Sequence, residues 1–101
     1  MTTFLVSVDY SNSYSPGRGF RRRSITTVNV SSETTIGQIK EAVLKFLNIP
    51  YEDLYFIEYK GRRLEDKETV SSSRLSKGCI LVLGCKDFNE LYTRMGRDGR
   101  L

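Results

Sequence analysis

One stretch with helical periodicity lies between two pairs of strand-like segments, and this order constrains the fold more than any other feature. Thr35 and Gln38 form the pattern of a capping box, which predicts a helix start. The apolar residues that follow recur at helical spacing: Ile36, Ile39, Val43, Phe46 and Leu47. Asn48 and Pro50 end the helix, because proline disfavours helical backbone at itself and at the preceding residue.

Strands are predicted on both sides of this helix. Apolar and polar residues alternate in segments 4–10 and 25–30 before it, and segments 55–59 and 80–83 after it are rich in β-branched and aromatic or aliphatic residues. The order is therefore β-β-α-β-β. Because the helix stripe has no other partner in so short a chain, we predict an α+β fold with a mixed sheet of four to five strands packed on one helix. The first and last strands should lie side by side and parallel.

Length and composition fit one soluble domain of 101 residues. The chain is 39% hydrophobic and 28% charged, close to the average for globular domains. Its apolar runs fall short of the roughly 20 residues needed to span a bilayer. The first residues lack the basic and apolar regions of a secretion signal. We expect a protein of the cytoplasm or nucleus that does not bind membranes.

Few residues suited to catalysis or metal binding occur. Cys79 and Cys85 bracket a predicted strand that holds them about 20 Å apart, too far for a disulfide. Two cysteines without any histidine leave too few ligands for a structural zinc site. The chain also lacks a histidine base and a glycine-rich phosphate loop that opens a helix. We predict no metal, no cofactor and no enzymatic activity.

Several short motifs follow one another in a specific order. They are segment 25–30, Thr35-Ile36 with Lys40 in the helix behind it, Asn48-Ile49-Pro50, segment 61–66, and the series Leu64, Leu75, Leu81 and Leu83. Together they resemble ubiquitin and its relatives. The resemblance implies a ubiquitin-like β-grasp fold that acts through protein contacts.

The resemblance also implies a contact surface. Ubiquitin presents an isoleucine, a histidine and a valine to its receptors on the outer face of its sheet, and these positions fall on Glu58, Val82 and Gly84. Because a buried unpaired carboxylate is costly, Glu58 predicts a changed set of partners; a solvated Glu58 on an exposed face is the alternative. The predicted partner-binding set includes four neighbours: Phe56, Lys60, Arg62 and Arg63.

The segment after the last predicted strand departs from conjugated members of the resembled family. Those proteins are attached through a C-terminal diglycine, and this sequence has no Gly-Gly pair. The resemblance therefore implies binding without conjugation. We accordingly divide the chain into a ubiquitin-like domain at 1–86 and a tail at 87–101.

The tail itself carries a helical pattern. Asp87 can cap a helix, Gly96 can end it, and the residues between them have an apolar stripe: Phe88, Leu91, Tyr92 and Met95. We predict a short helix followed by disorder from Arg97. Because isolated short helices are marginal in water, this one needs a surface, either the outer sheet face around Phe56 and Val82 or a partner's groove.

A long basic loop is predicted at 11–23, where Ser, Gly, Pro and Arg predominate. Its candidate contact residues are Arg18, Phe20, Arg21, Arg22 and Arg23. Arginines mixed with aromatic residues can contact phosphates and stack on bases, and the net charge of +4 favours acidic partners. A solvated insertion without a binding role is the alternative interpretation.

The hypothesis that these features favour is a monomeric, non-conjugated ubiquitin-like interaction module or adaptor. Its partners would be other proteins, including components of the ubiquitin pathway or of multi-protein complexes. Two alternatives stay open. One is an RNA-binding or acidic-partner-binding protein that uses the arginine loop, and the other is a diverged ubiquitin-like modifier.

Overall fold

A computed structural model describes residues 2–11, 13 and 24–100 of the chain. The strands in these residues are β1 (Thr3–Asp9), β2 (Ile25–Ser31), β3 (Tyr55–Tyr59), β4 (Arg62–Leu64) and β5 (Ile80–Cys85). They form one sheet in the order β2-β1-β5-β3-β4. The helices are α1 (Ile36–Leu47) and α2 (Phe88–Arg97), with a 3-10 turn at Glu52–Leu54. The predicted α+β architecture is confirmed.

The strand pairing gives the sheet two different faces. β1 runs parallel to β5 as predicted, with Val8 opposite Leu81, while the other neighbours are antiparallel. Because side chains alternate along a strand, Val6, Val8 and Leu81 point to one side, the inner face, and are fully buried there. Leu5 and Ile80 point to the opposite side, the outer face, and are about half exposed.

The ends of α1 are set by local hydrogen bonds, as the sequence predicts. Thr35 Oγ1 accepts from Gln38 N at 3.1 Å, and Gln38 Oε1 accepts from Thr35 N at 2.9 Å. At the other end Asn48 adopts the left-handed conformation with φ of 59°, and its N–H donates to the carbonyls of the last turn. Both signals are local, which explains why the sequence reveals them.

The apolar stripe of α1 faces the inner side of the sheet. Ile36, Ile39 and Val43 are buried in the core that the helix shares with the strands. The inclusion of Phe46 in this stripe is wrong, since its side chain is 58% exposed and Leu44 is buried instead. Phe46 lies at the border of the stripe, where its ring meets the edge of the Tyr10 ring at a centroid distance of 6.3 Å.

One charged residue, Lys40, lies within the buried stripe. Its ammonium group donates to the Asp66 carboxylate at 2.9 Å and to the Tyr55 carbonyl at 3.3 Å. These bonds compensate for the desolvation of the charge. They also connect α1 to the segment after β4 and occupy the carboxylate of Asp66.

The predicted C-terminal helix exists and belongs to the same core as the rest of the fold. Asp87 accepts from Glu90 N at 3.0 Å, which is the predicted cap. Leu91 and Met95 are buried, and both border the same small cavity as the inner-face residue Tyr55. Helix α2 therefore packs on the inner side of the sheet, the side that α1 also covers.

This placement corrects one of the two docking sites predicted for the helix. The helix does not cover the outer face around Phe56 and Val82, because its buried residues point to the inner side. It also continues past Gly96 and ends at Arg97. Local patterns located the helix, whereas its docking depends on where the sheet leaves apolar surface uncovered.

The residues after α2 make contacts in place of the predicted disorder. The Tyr51 hydroxyl donates to Asp98 at 2.6 Å, and the Arg100 guanidinium donates to the Asn48 carbonyl at 3.0 Å. Burial raises the pKa of Tyr51, and the hydrogen bond to Asp98 raises it further. The end of the described chain is thus held against the connection between α1 and β3.

Arg94 provides a further link between α2 and this connection. It donates two hydrogen bonds to the Asp53 carboxylate, at 2.8 and 3.0 Å, and one to Glu90 at 2.9 Å. Hydrogen bonding to Arg94 lowers the pKa of Asp53. Because the pair is largely exposed, it orients α2 more than it stabilises the fold.

Candidate protein-interaction site

The register of β3, β4 and β5 brings five predicted contact residues together on the outer face. Val82 lies opposite Glu58, and Gly84 lies opposite Phe56. On the neighbouring strand β4, Arg63 also lies opposite Glu58. We term this group of five residues the outer-face site. It is formed at the centre of the sheet and is left uncovered by both helices.

Phe56 and Gly84 fit together closely. A Cβ atom added to Gly84 would lie 2.9 Å from Phe56 Cε1 and closer still to Cζ, so the phenyl ring occupies the space of the missing side chain. Gly84 itself is buried. The aromatic ring thus takes the place that a side chain on β5 would fill.

Arg63 stacks on the same ring. Its guanidinium carbon lies 3.8 Å from the centroid of the Phe56 ring, a cation–π contact. Glu58 lies directly opposite Arg63 in the strand register, yet no ion pair joins the two side chains among the salt bridges of the described residues. The site therefore combines a stacked cation, a carboxylate and the half-buried Val82.

Two other residues of the predicted basic group lie apart from this site. Arg62 follows the alternation of β4 to the side opposite Arg63 and donates to Glu68 at 3.2 Å. Lys60 lies in the turn before β4 with its ammonium group 5.3 Å from the centroid of the Tyr59 ring. Arg62 and Arg63 therefore point to opposite sides of β4, and a role of Lys60 and Arg62 in partner binding stays a prediction.

The outer face carries further apolar side chains that the sequence motifs do not single out. Leu5, Ile25 and Ile80 are 51%, 43% and 46% exposed. They extend the apolar part of the outer face from the outer-face site toward β1 and β2. Their position could be predicted from the strand alternation. Each one is next in sequence to a residue of the inner face, so it must point to the outer face.

The arginine loop is the second predicted contact region. Its candidate residues Arg18, Phe20, Arg21, Arg22 and Arg23 lie outside the residues that the structure describes. A nucleic-acid or acidic-partner contact there stays a prediction.

The described part of the chain offers few groups for metal binding, membrane insertion or nucleophilic chemistry. Within 2–11, 13 and 24–100, no cluster of three or more His, Cys, Asp or Glu side chains could hold a metal ion. Among the same residues, no helix is long and apolar enough to cross a membrane. Cys79 and Cys85 are free thiols, and burial raises the pKa of each. Such thiols are poor nucleophiles near neutral pH.

Comparison with known proteins identifies the family. The family model described as "Ubiquitin family" matches residues 18–87, more than half of the chain. The chain belongs to the ubiquitin family. Among solved structures it is similar to the ubiquitin of Caldiarchaeum subterraneum, with a TM-score of 0.67 and 24% identity over 85% of this chain and 96% of that chain. At this identity the likeness shows the fold. No curated protein sequence matches the chain.

Membership of the ubiquitin family gives the outer-face site a context. The family fold serves protein modification and protein interaction. By the resemblance stated above, Glu58, Val82 and Gly84 occupy the positions of the receptor-binding patch of ubiquitin, and the strand register makes them neighbours on one face. The chain is therefore a ubiquitin-like module.

Proposed function

We propose that this protein is a non-conjugated ubiquitin-like interaction module, or adaptor, that binds other proteins through the outer-face site. The observation that carries the proposal is the placement of α2. The helix packs on the inner side of the sheet through Leu91 and Met95 and leaves the outer face open. Its partners are components of the ubiquitin pathway or of multi-protein complexes, met as a monomer in the cytoplasm or nucleus.

The chemistry of the site supports a partner set different from that of ubiquitin. Glu58 holds the position at which ubiquitin has an apolar side chain, and Val82 lies beside it. A partner that buried Glu58 against apolar groups would leave an unpaired charge, which is strongly unfavourable. Glu58 therefore selects for partners that offer a cation or keep the carboxylate hydrated, and against the usual ubiquitin receptors.

The path of the chain after β5 supports action without conjugation. β5 ends at Cys85 and α2 begins at Phe88, so the strand leads directly into a helix that is anchored in the core. A conjugated modifier instead needs a flexible extension after the sheet that an activating enzyme can hold. The diverged-modifier alternative predicts that the protein forms a thioester with activating enzymes.

Capture of partners from extract tests the interaction surface. The double variant Glu58→Ala with Val82→Ala should lose partners that the unaltered chain retains, as measured by quantitative mass spectrometry. The matched control is Glu41→Ala with Phe46→Ala, which removes a carboxylate and a large apolar side chain from exposed positions of α1. An identical partner list for both double variants would contradict the proposed surface.

Incubation with ubiquitin-activating enzymes and ATP tests the absence of conjugation. We expect no thioester on non-reducing gels, with ubiquitin as the positive control. A reducible adduct of the intact chain would favour the diverged modifier instead.

A further inference from the structure

A groove opens beside the outer-face site, between β3 and the segment that follows β4. Its volume is about 540 Å³. Phe56 and Arg63 are shared with the outer-face site, and the buried residues Leu64 and Tyr55 also line the groove. Lys86, next to the end of β5, closes the opposite side. The groove thus continues the contact surface beyond the centre of the sheet.

The charges along this groove are mainly positive. Arg63, Lys67 and Lys86 line it, together with the carboxylates of Glu65 and Asp66. Asp66 forms an ion pair through one oxygen with the buried ammonium group of Lys40, which balances its charge. Within the described residues, Glu65 is the one groove carboxylate without an ion pair. The groove therefore carries an excess of positive charge.

Arg63 is held ready to bind an anion. The stack on Phe56 fixes the position of the guanidinium, and Gly84 makes room for the ring beneath it. A stacked guanidinium keeps its N–H donors in its own plane, where they can still reach a carboxylate in a bidentate arrangement. Since Arg63 is exposed and not paired with Glu58, these donors face solvent.

We infer that this groove binds an acidic segment of a protein partner. Arg63 takes one Asp or Glu carboxylate of the segment, and Lys67 and Lys86 attract further acidic side chains along the groove. Charge complementarity determines the occupant, because three cations face a single unpaired carboxylate. The inference rests on the proposed function and specifies the partner chemistry of the same surface.

The stacked geometry favours a peptide over RNA. A nucleobase that stacked on the Phe56 ring would compete with Arg63, whose guanidinium already lies over that ring. RNA binding at this groove is therefore an outcome that would overturn the inference.

Titration of the full ¹⁵N-labelled chain, followed by amide chemical shifts, tests the inference. The probe is a capped peptide of alternating glutamate and serine, and its control has glutamine in place of glutamate. We expect shifts at Phe56, Arg63, Gly84 and Lys86 with the acidic peptide and not with the control. Arg63→Gln should weaken binding about tenfold, since a charge-assisted bidentate contact is lost.

Two further variants distinguish the effect of the bidentate geometry of Arg63 from the effect of net charge. Arg63→Lys keeps the charge but loses the bidentate geometry, so it should bind more weakly than the unaltered chain. Arg97→Gln removes an arginine that is also exposed, on α2, and should leave the affinity unchanged. The spectra themselves report whether each variant is folded.

Several results would overturn the inference. They are an absence of shifts at millimolar peptide, equal shifts with the neutral peptide, equal losses in Arg63→Gln and Arg97→Gln, or shifts at the groove with single-stranded RNA alone. The proposed function can be judged separately. If partner capture is lost in the Glu58→Ala and Val82→Ala double variant but retained in Arg63→Gln, the interaction surface stands and the acidic-segment inference fails.

Discussion

The two faces of the sheet are built from alternate residues of the same strands and have opposite properties. On β5, Leu81 is fully buried while the adjacent Ile80 is 46% exposed. Both helices cover the inner face, and the outer face keeps the candidate contact residues. The alternation of side chains along each strand therefore separates those that stabilise the fold from those available to a partner. Substitutions on the inner face should mainly change stability, and substitutions on the outer face should mainly change binding.

The largest difference is expected between neighbours on β5. Leu81→Ala should lower the free energy of unfolding by about 3–5 kcal/mol, because it leaves a cavity in the inner core. Ile80→Ala, one residue away, should cost less than about 1 kcal/mol, since its side chain is half in solvent already. Urea denaturation measures both. Equal costs would show that the outer face also has a structural role.

A smaller effect is expected where α2 joins the inner side. Leu91→Ala should cost about 2–3 kcal/mol, the lower part of the range for buried leucine, because a terminal helix can readjust. In this variant, the increase in amide hydrogen exchange should be larger in α2 than in the strands. Thr93→Ala, at an exposed position of the same helix, is the control. Uniformly faster exchange across the sheet would mean that α2 does not undock separately.

Gly84 is the exception on the outer face and should respond like a core residue. Gly84→Ala should destabilise the fold by about 1–3 kcal/mol, because the new methyl group overlaps the Phe56 ring. The same substitution in a Phe56→Ala background should cost much less, as measured by a double-mutant cycle. If Gly84→Ala remains equally destabilising in the Phe56→Ala background, the cost arises from the backbone at Gly84 and not from overlap with the ring.

The smallest effect concerns the ion pair that orients α2. Hydrogen bonding to Arg94 lowers the pKa of Asp53 from its ordinary value, so the stability that the pair contributes is present above the unfolded-state pKa and is lost as pH falls through the folded-state pKa. Between neutral pH and about pH 3, the unaltered chain should therefore lose slightly more stability than Asp53→Asn. Urea midpoints at both pH values provide the measurement, with Glu41→Gln as control. An identical loss in Asp53→Asn would contradict the role of the pair.

Signals that depend on neighbouring residues could be predicted from the sequence. The capping box at Thr35, the cap at Asp87 and the strand alternation all act within a few residues, and all are present in the structure. Prediction failed where residues distant in sequence decide the outcome. Phe46 has helical spacing but lies beyond the surface that the sheet offers, and Arg62 and Arg63 are neighbours in sequence but point to opposite sides of β4.

The order of the main elements, the caps of the two helices and the ubiquitin-like resemblance follow from the sequence alone, because periodicity and capping are local properties. The tertiary structure decided three further points: that α2 lies on the inner side, that Phe56 fills the space above Gly84, and that Arg63 stacks there instead of pairing with Glu58. Each of these contacts joins different strands or helices. Packing between distant segments therefore determines which side chains this member of the ubiquitin family offers to its partners.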